Sequence, residues 1–180
     1  VVTLLHSGIV YPEERDPTQL FAALQQLKKS GRLSGNQLRI RFRAAVHDEL
    51  LSALAAQYDV ADYIELCPQI PYREALSEML RADVLLVMQA ANCNAQIPAK
   101  IYEYLRAGRP IAALTDPQGD TAGALRQAGI NWISQLDDSE AIAARLVEVH
   151  DAVRANAAPL PSPAAVAGAS RLSRSEELAG

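Results

Sequence analysis

Short apolar runs alternate with amphipathic stretches along most of this chain. Val1 to Leu5 is apolar and β-branched, which predicts a strand. A polar loop follows over 6–17, ending in Asp16–Pro17, an acceptor and a proline that together signal a helix start. Leu20, Phe21, Leu24 and Leu27 then recur at helical spacing. The pattern continues with a loop at 31–37, a strand at 38–42 and a helix at 48–57 with Leu50, Leu51 and Leu54 inward. A strand at 63–66, the loop CPQIP and a helix at 72–80 come next. Residues 82–88, ADVLLVM, form the most apolar run and predict a buried central strand. After the loop QAANCNAQI, a helix opens on Pro98 and stops at Gly108, and Pro110 begins a strand over 110–114. A helix at 121–128, a strand at 130–134 and a helix at 138–154 complete the series.

Alternation at this spacing predicts an α/β fold, a Rossmann-like parallel sheet with helices on both faces. Ligands of such sheets gather outside the carboxyl ends of the strands. Those ends are residues 6–16, 67–71, 89–98 and 115–120. Residues 1–154 therefore read as one domain. Residues 155–170 (ANAAPLPSPAAVAGAS) are dominated by Ala, Pro and Ser and read as a linker rather than a core element. In 171–180, Ser173 and Glu176 have capping-box spacing, which allows a short terminal helix.

Composition changes this picture little. The chain has 180 residues, 49% hydrophobic and 21% charged, enough for one core. A net charge of −4 gives no sign of a nucleic-acid partner. Cys67 and Cys93 fit no metal spacing and no redox pair, and His6, His47 and His150 are scattered. A reduced, cytoplasmic setting is expected. No apolar run approaches the roughly 20 residues that cross a bilayer. The chain starts inside an apolar run without Met, as a domain cut from a longer polypeptide would.

The segment IPAKIYEYLRAGRPI, residues 97–111, carries the most chemistry. Ile101 and Leu105 are four apart and point at a core. Lys100 and Glu103 are three apart on the opposite face. A cation and an acid near a helix mouth suit a ligand that carries both phosphate and hydroxyl groups.

Taken with HSGIVY…RDP at the start and ADVLLV in the middle, this segment resembles the C-terminal, nucleotide-sugar-binding half of GT-B fold glycosyltransferases. The pattern is most similar to the retaining group called family 4 or group 1, and the resemblance spans about residues 2–150. The final SRSEELAG resembles the family's last helix, which crosses back to the N-terminal domain. The resemblance implies a nucleotide-diphosphate-sugar donor, with transfer of the sugar to an acceptor hydroxyl in cell-surface polysaccharide or glycoconjugate synthesis. It implies that Glu103 accepts from the ribose hydroxyls, and that Ile97, Pro98, Ala99 and Lys100 at the helix start face the diphosphate. Gly8 matches the glycine that lets backbone approach the donor. Pro68 and Ile70, in the CPQIP loop, would border the nucleobase. No metal or other cofactor is implied. The acceptor, a glycan or lipid-linked glycan, and most catalytic groups would belong to an N-terminal domain, through which the enzyme could sit at the inner face of a membrane. This domain alone should bind donor with little or no turnover.

Two positions depart from the family. Ile9 stands where the family usually has Arg, and Arg15 falls one residue from the expected Lys. Arg grips phosphate in a bidentate way that Lys cannot. Ala95 replaces the first of two glutamates seven residues apart, leaving Gln89, Asn92, Asn94 or Gln96 as neutral amides that could read the sugar. Plain structural roles stand beside each assignment: a solvated Glu103, a surface Lys100 or Arg15, a turn at Gly8. Rival readings are a nucleotide-sugar epimerase and a non-catalytic GT-B-like binding domain. A receiver domain would need acidic clusters where His6 and Cys67–Pro68 stand, and a dehydrogenase module would need the glycine triplet after the first strand.

Overall fold

The computed structural model describes residues 1–93 and 97–170. Six strands, β1 (Val2–Ser7), β2 (Leu38–Arg43), β3 (Ile64–Cys67), β4 (Val84–Met88), β5 (Ile111–Leu114) and β6 (Ile133–Ser134), form one sheet in the order β3-β2-β1-β4-β5-β6. Every neighbouring pair is parallel. Six helices within residues 1–154 connect or follow them: α1 (Thr18–Ser30), α2 (Asp48–Gln57), α3 (Tyr72–Arg81), α4 (Ala99–Ala107), α5 (Asp120–Gln127) and α6 (Ser139–Arg154). The strand order reverses between β1 and β4, which opens a crevice at their carboxyl ends.

Two apolar layers cover the sheet. On one face Leu20, Phe21 and Leu24 of α1, Leu51 and Leu54 of α2 and Ile142, Leu146 and Val149 of α6 bury against Leu4, Ile40, Phe42 and Leu86. On the other, Met79 of α3, Ile101, Tyr104 and Leu105 of α4 and Ala122 and Leu125 of α5 bury against Leu5, Leu85, Val87 and Ile111. Successive residues of β4 therefore face opposite layers, and all five are buried, as a central strand requires.

The strands and helices expected over 1–154 are all present, with most edges shifted by no more than two residues. The largest shifts have physical causes. β1 runs on through His6 and Ser7, read as loop from their polarity, because β2 pairs with it as far as Ser7↔Arg43. β6 shrinks to two residues because only Ala113 and Leu114 of β5 face it. Pro98 is the residue before α4 rather than its first, at φ −60° and ψ 141°. Gly108 takes the left-handed conformation after α4, at φ 68°, and its N–H bonds Leu105 O.

Residues 155–170, expected to be linker, contain a helix over 163–170. Ala169 is buried with Leu5, Ile111 and Ala128, and Ala165 packs against the same layer. Ser162 N bonds Ala128 O at 2.9 Å, tying the segment to the end of α5. Small side chains let this helix lie close to the domain, so a composition typical of linkers serves as packing. The expected crossing helix at 171–180 lies outside the described residues.

Candidate functional site

The crevice at the strand-order reversal is a cleft of about 530 Å³. Its walls include Gly8, Arg15, Ile97, Pro98, Ala99 and Lys100, six of the nine residues that the resemblance nominates for the donor. Three segments supply them. The first is the loop after β1. Gly8 N bonds Arg43 O at 2.9 Å, and Gly8 adopts φ 131°, a conformation that L side chains rarely take. A Cβ there would point at Lys100 Cε and Arg15 Nη1, 3.8 and 3.9 Å away, so the bare backbone of Gly8 faces both cations.

The second segment is the turn that carries Arg15 back over this loop. Arg15 N bonds Tyr11 O at 2.8 Å, its Nη1 donates to Ile9 O at 2.9 Å, and its guanidinium lies 5.6 Å from the centre of the Tyr11 ring. No carboxylate among the described residues pairs with Arg15. A half-buried guanidinium without a counter-ion in a cleft is suited to an anion. Ala90 N bonds Glu14 O at 2.7 Å, joining this turn to the loop after β4 across the crevice.

The third segment is the start of α4. The first backbone bond of the helix runs from Ile101 N to Pro98 O at 3.0 Å, which leaves the amides of Ala99 and Lys100 at the helix mouth. Those N–H groups and the dipole behind them favour negative charge in the cleft. Tyr104 locks the helix in place: it is buried, and its hydroxyl accepts from Ser7 N at 3.0 Å. Burial holds that hydroxyl protonated, with its pKa pushed well above the usual phenol range. Nothing local in the sequence marks this tyrosine, since its partner lies 97 positions away.

The electrostatics of the cleft are reported by His6 beneath it. Its pKa falls from 6.5 to about 3, through burial first and then through the charges of Arg15 and Lys100. Its Nδ1 is buried without a hydrogen-bond partner, so protonation would place an uncompensated charge under two cations. Native protein therefore leaves His6 neutral where unfolded chain takes up a proton. Stability should fall as pH drops below 6.5, by roughly 2 kcal/mol by pH ~5, where most carboxylates are still ionised. Denaturant unfolding across that window measures it, and His6→Leu should flatten the slope.

Glu103 stands one turn further along α4, outside the cleft wall. It lines a groove of about 190 Å³ between α3 and α4 with Leu76, Met79, Leu80, Arg106 and Ala107. Lys100 links the two spaces: its Nζ lies 3.1 Å from Glu103 Oε2. The hydroxyl of Tyr72, the first residue of α3, donates to Glu103 Oε1 at 3.3 Å. The remaining nominated residues, Pro68 and Ile70, do not line the cleft. They lie in the loop that leads to Tyr72, with Pro68 exposed and Ile70 half-buried. Pro68 O accepts from Arg43 Nη1 at 3.0 Å.

Beside the cleft lies a second space of about 300 Å³, which shares Gln89 and carries the carboxylates of Glu13, Asp16, Asp116 and Asp137. Those four carboxylates make this space unfavourable to an anion, in contrast to the Arg15 side. Gln89 is committed inward: its Nε2 donates to Cys93 O at 2.9 Å and its Oε1 accepts from Thr115 Oγ1 at 3.2 Å. Ala95, Asn94 and Gln96 lie outside the described residues, as does the side chain of Asn92.

No family model and no curated protein matches this chain by sequence. Among solved structures it is similar to sucrose-phosphate synthase (tll1590) from Thermosynechococcus elongatus, with TM-score 0.59 and 15% identity over 99% of this chain and 46% of that one. It is also similar to HepE (Alr3699) of Anabaena in complex with UDP, with TM-score 0.57 and 14% identity over 86% of this chain and 43% of that one. A third is the UDP-forming α,α-trehalose-phosphate synthase from Burkholderia xenovorans, in complex with glucose-6-phosphate, with TM-score 0.55 and 16% identity over 87% and 39%. The chain spans less than half the length of each of these three proteins. These likenesses bear out the expected fold, a Rossmann-like α/β domain of the GT-B type. No helix among the described residues is long and apolar enough to cross a membrane.

Proposed function

We propose that this chain is the donor-binding domain of a glycosyltransferase and that the cleft takes the diphosphate of a nucleotide sugar. The observation that carries this reading is the convergence of Arg15 (without a carboxylate partner among the described residues), Lys100, bare Gly8 and the mouth of α4 on one cleft at the strand-order reversal. The linear order of the site supports it as well. Arg15 and the α4 amides come first, Lys100 stands between, Glu103 follows, and the Pro68–Ile70 loop lies at the head of α3. A nucleoside diphosphate presents phosphate, ribose and base in that same order. Glu103 would then accept from ribose hydroxyls, and the CPQIP loop would border the base.

The chemistry follows from charge. When the glycosidic bond to the diphosphate breaks, negative charge grows on the leaving oxygen. Fixed cations and helix-end N–H groups stabilise that charge more in the transition state than in the ground state. Arg15, Lys100 and the amides of Ala99 and Lys100 do this without a metal ion. The acceptor, a glycan or lipid-linked glycan in cell-surface synthesis, would be held by a partner domain, and the sugar itself would be a hexose. HepE of Anabaena has been captured with UDP and with UDP-glucose, which makes uridine the first base to try.

Calorimetric titration with UDP, GDP, ADP and the parent nucleosides tests the reading. One diphosphate should bind at least tenfold more tightly than its nucleoside. Equal affinity for the two, or no binding by any, would refute it.

A further inference from the structure

A carboxylate that reads a diol needs a free acceptor position on each oxygen and a fixed orientation. Two tethers hold Glu103 and leave it acceptor capacity. Its side chain is 21% exposed, and each oxygen is tied by one donor, Oε2 to Lys100 Nζ at 3.1 Å and Oε1 to the Tyr72 hydroxyl at 3.3 Å. An ionised carboxylate has about four acceptor positions, so each oxygen keeps one free. The donors come from different elements, Lys100 from α4 and Tyr72 from α3. Tyr72 is 54% exposed, so its hydroxyl contributes little to the core. Its backbone position is nonetheless set, because Ala75 N bonds Pro71 O at 3.0 Å and starts α3 at Tyr72.

We infer that Tyr72 is a positioning residue of the donor site. Together with Lys100 it clamps the Glu103 carboxylate so that one acceptor position on each oxygen receives one of the two adjacent hydroxyls of the ribose. The inference rests on the donor-binding reading above. It gives a role to an exposed aromatic residue at the first position of α3. Without the Tyr72 hydroxyl, Glu103 keeps a single tether and can rotate about its own χ3, which costs order on binding.

The test is Tyr72→Phe, which removes one oxygen from an exposed side chain, titrated with UDP and 2′-deoxy-UDP (or the diphosphate pair that binds in the panel above). In wild type the ribose form should bind at least tenfold more tightly than the deoxy form. In Tyr72→Phe that ratio should shrink about threefold or more, through weaker binding of the ribose form, with the deoxy form little changed. An unchanged ratio overturns the role of Tyr72 while leaving diphosphate binding in place. Wild type that binds both forms equally removes the ribose role of Glu103, and the clamp with it. Absence of any nucleotide binding refutes the donor-binding reading itself.

Discussion

Arg15→Ala should weaken binding of the nucleoside diphosphate by about 10- to 100-fold and leave binding of the nucleoside within a factor of two. The range is that of one charged hydrogen bond, about 1.5–3 kcal/mol. Arg15 qualifies for the upper part of it. The guanidinium is held by Ile9 O and the Tyr11 ring, so little side-chain freedom remains to be lost on binding. No carboxylate among the described residues neutralises it, so an incoming phosphate displaces no ion pair. Arg15→Lys should recover part of the loss, because it restores the charge without the planar fork. Titration calorimetry of the three proteins against the diphosphate and the nucleoside reads the effect directly. Equal losses for both ligands would remove Arg15 from the phosphate.

Glu103→Ala should have the opposite signature. Nucleoside affinity should fall about 10- to 100-fold, on the same scale for a charged acceptor of paired hydroxyls. The diphosphate should lose less. Removing Glu103 releases Lys100 from its 3.1 Å pair, and an unpaired ammonium at the cleft wall strengthens the hold on phosphate. Two substitutions with crossed effects separate the phosphate and ribose ends of the site. The same titrations check it, and an unchanged nucleoside affinity in Glu103→Ala would sink the ribose role.

Much of the fold is legible in the sequence because each element carries its own signal. α2 spans Asp48–Gln57, the bounds that its apolar spacing and flanking polar residues give. The apolar run around 84–88 could only be buried on both faces, and it is. What misleads local reading depends on distant chain. Polarity argues that His6 and Ser7 leave the sheet, yet β2 offers them partners and the layers above bury them. At 163–170 the Ser162–Pro163 start and the alanines favour a helix, and Ser162 Oγ accepts from Ala165 N at 3.2 Å, but the linker-like composition hides it; its docking depends on a surface built by Leu5, Ile111 and Ala128.

The candidate site divides along the same line. Pro98 and Lys100 are readable because helix-start chemistry is local, whereas Gly8 is nominated through the resemblance. Arg15 is readable only as a nearby cation; the turn that brings it back is held by Ile9 O and Tyr11 O, backbone acceptors that no residue type signals. The Tyr72–Glu103 contact joins residues 31 apart on two helices, and no spacing rule reports it. Pro68 and Ile70 could be nominated only through resemblance, and they stand away from the cleft wall.

The most direct measurement is residue-resolved. Amide chemical shifts of the labelled chain should be recorded as the tightest-binding nucleoside diphosphate is added. The largest changes should fall on Gly8, Ile9, Ala99 and Lys100, the backbone that faces the cleft. Saturable binding that leaves those four amides unmoved would contradict the placement of the diphosphate.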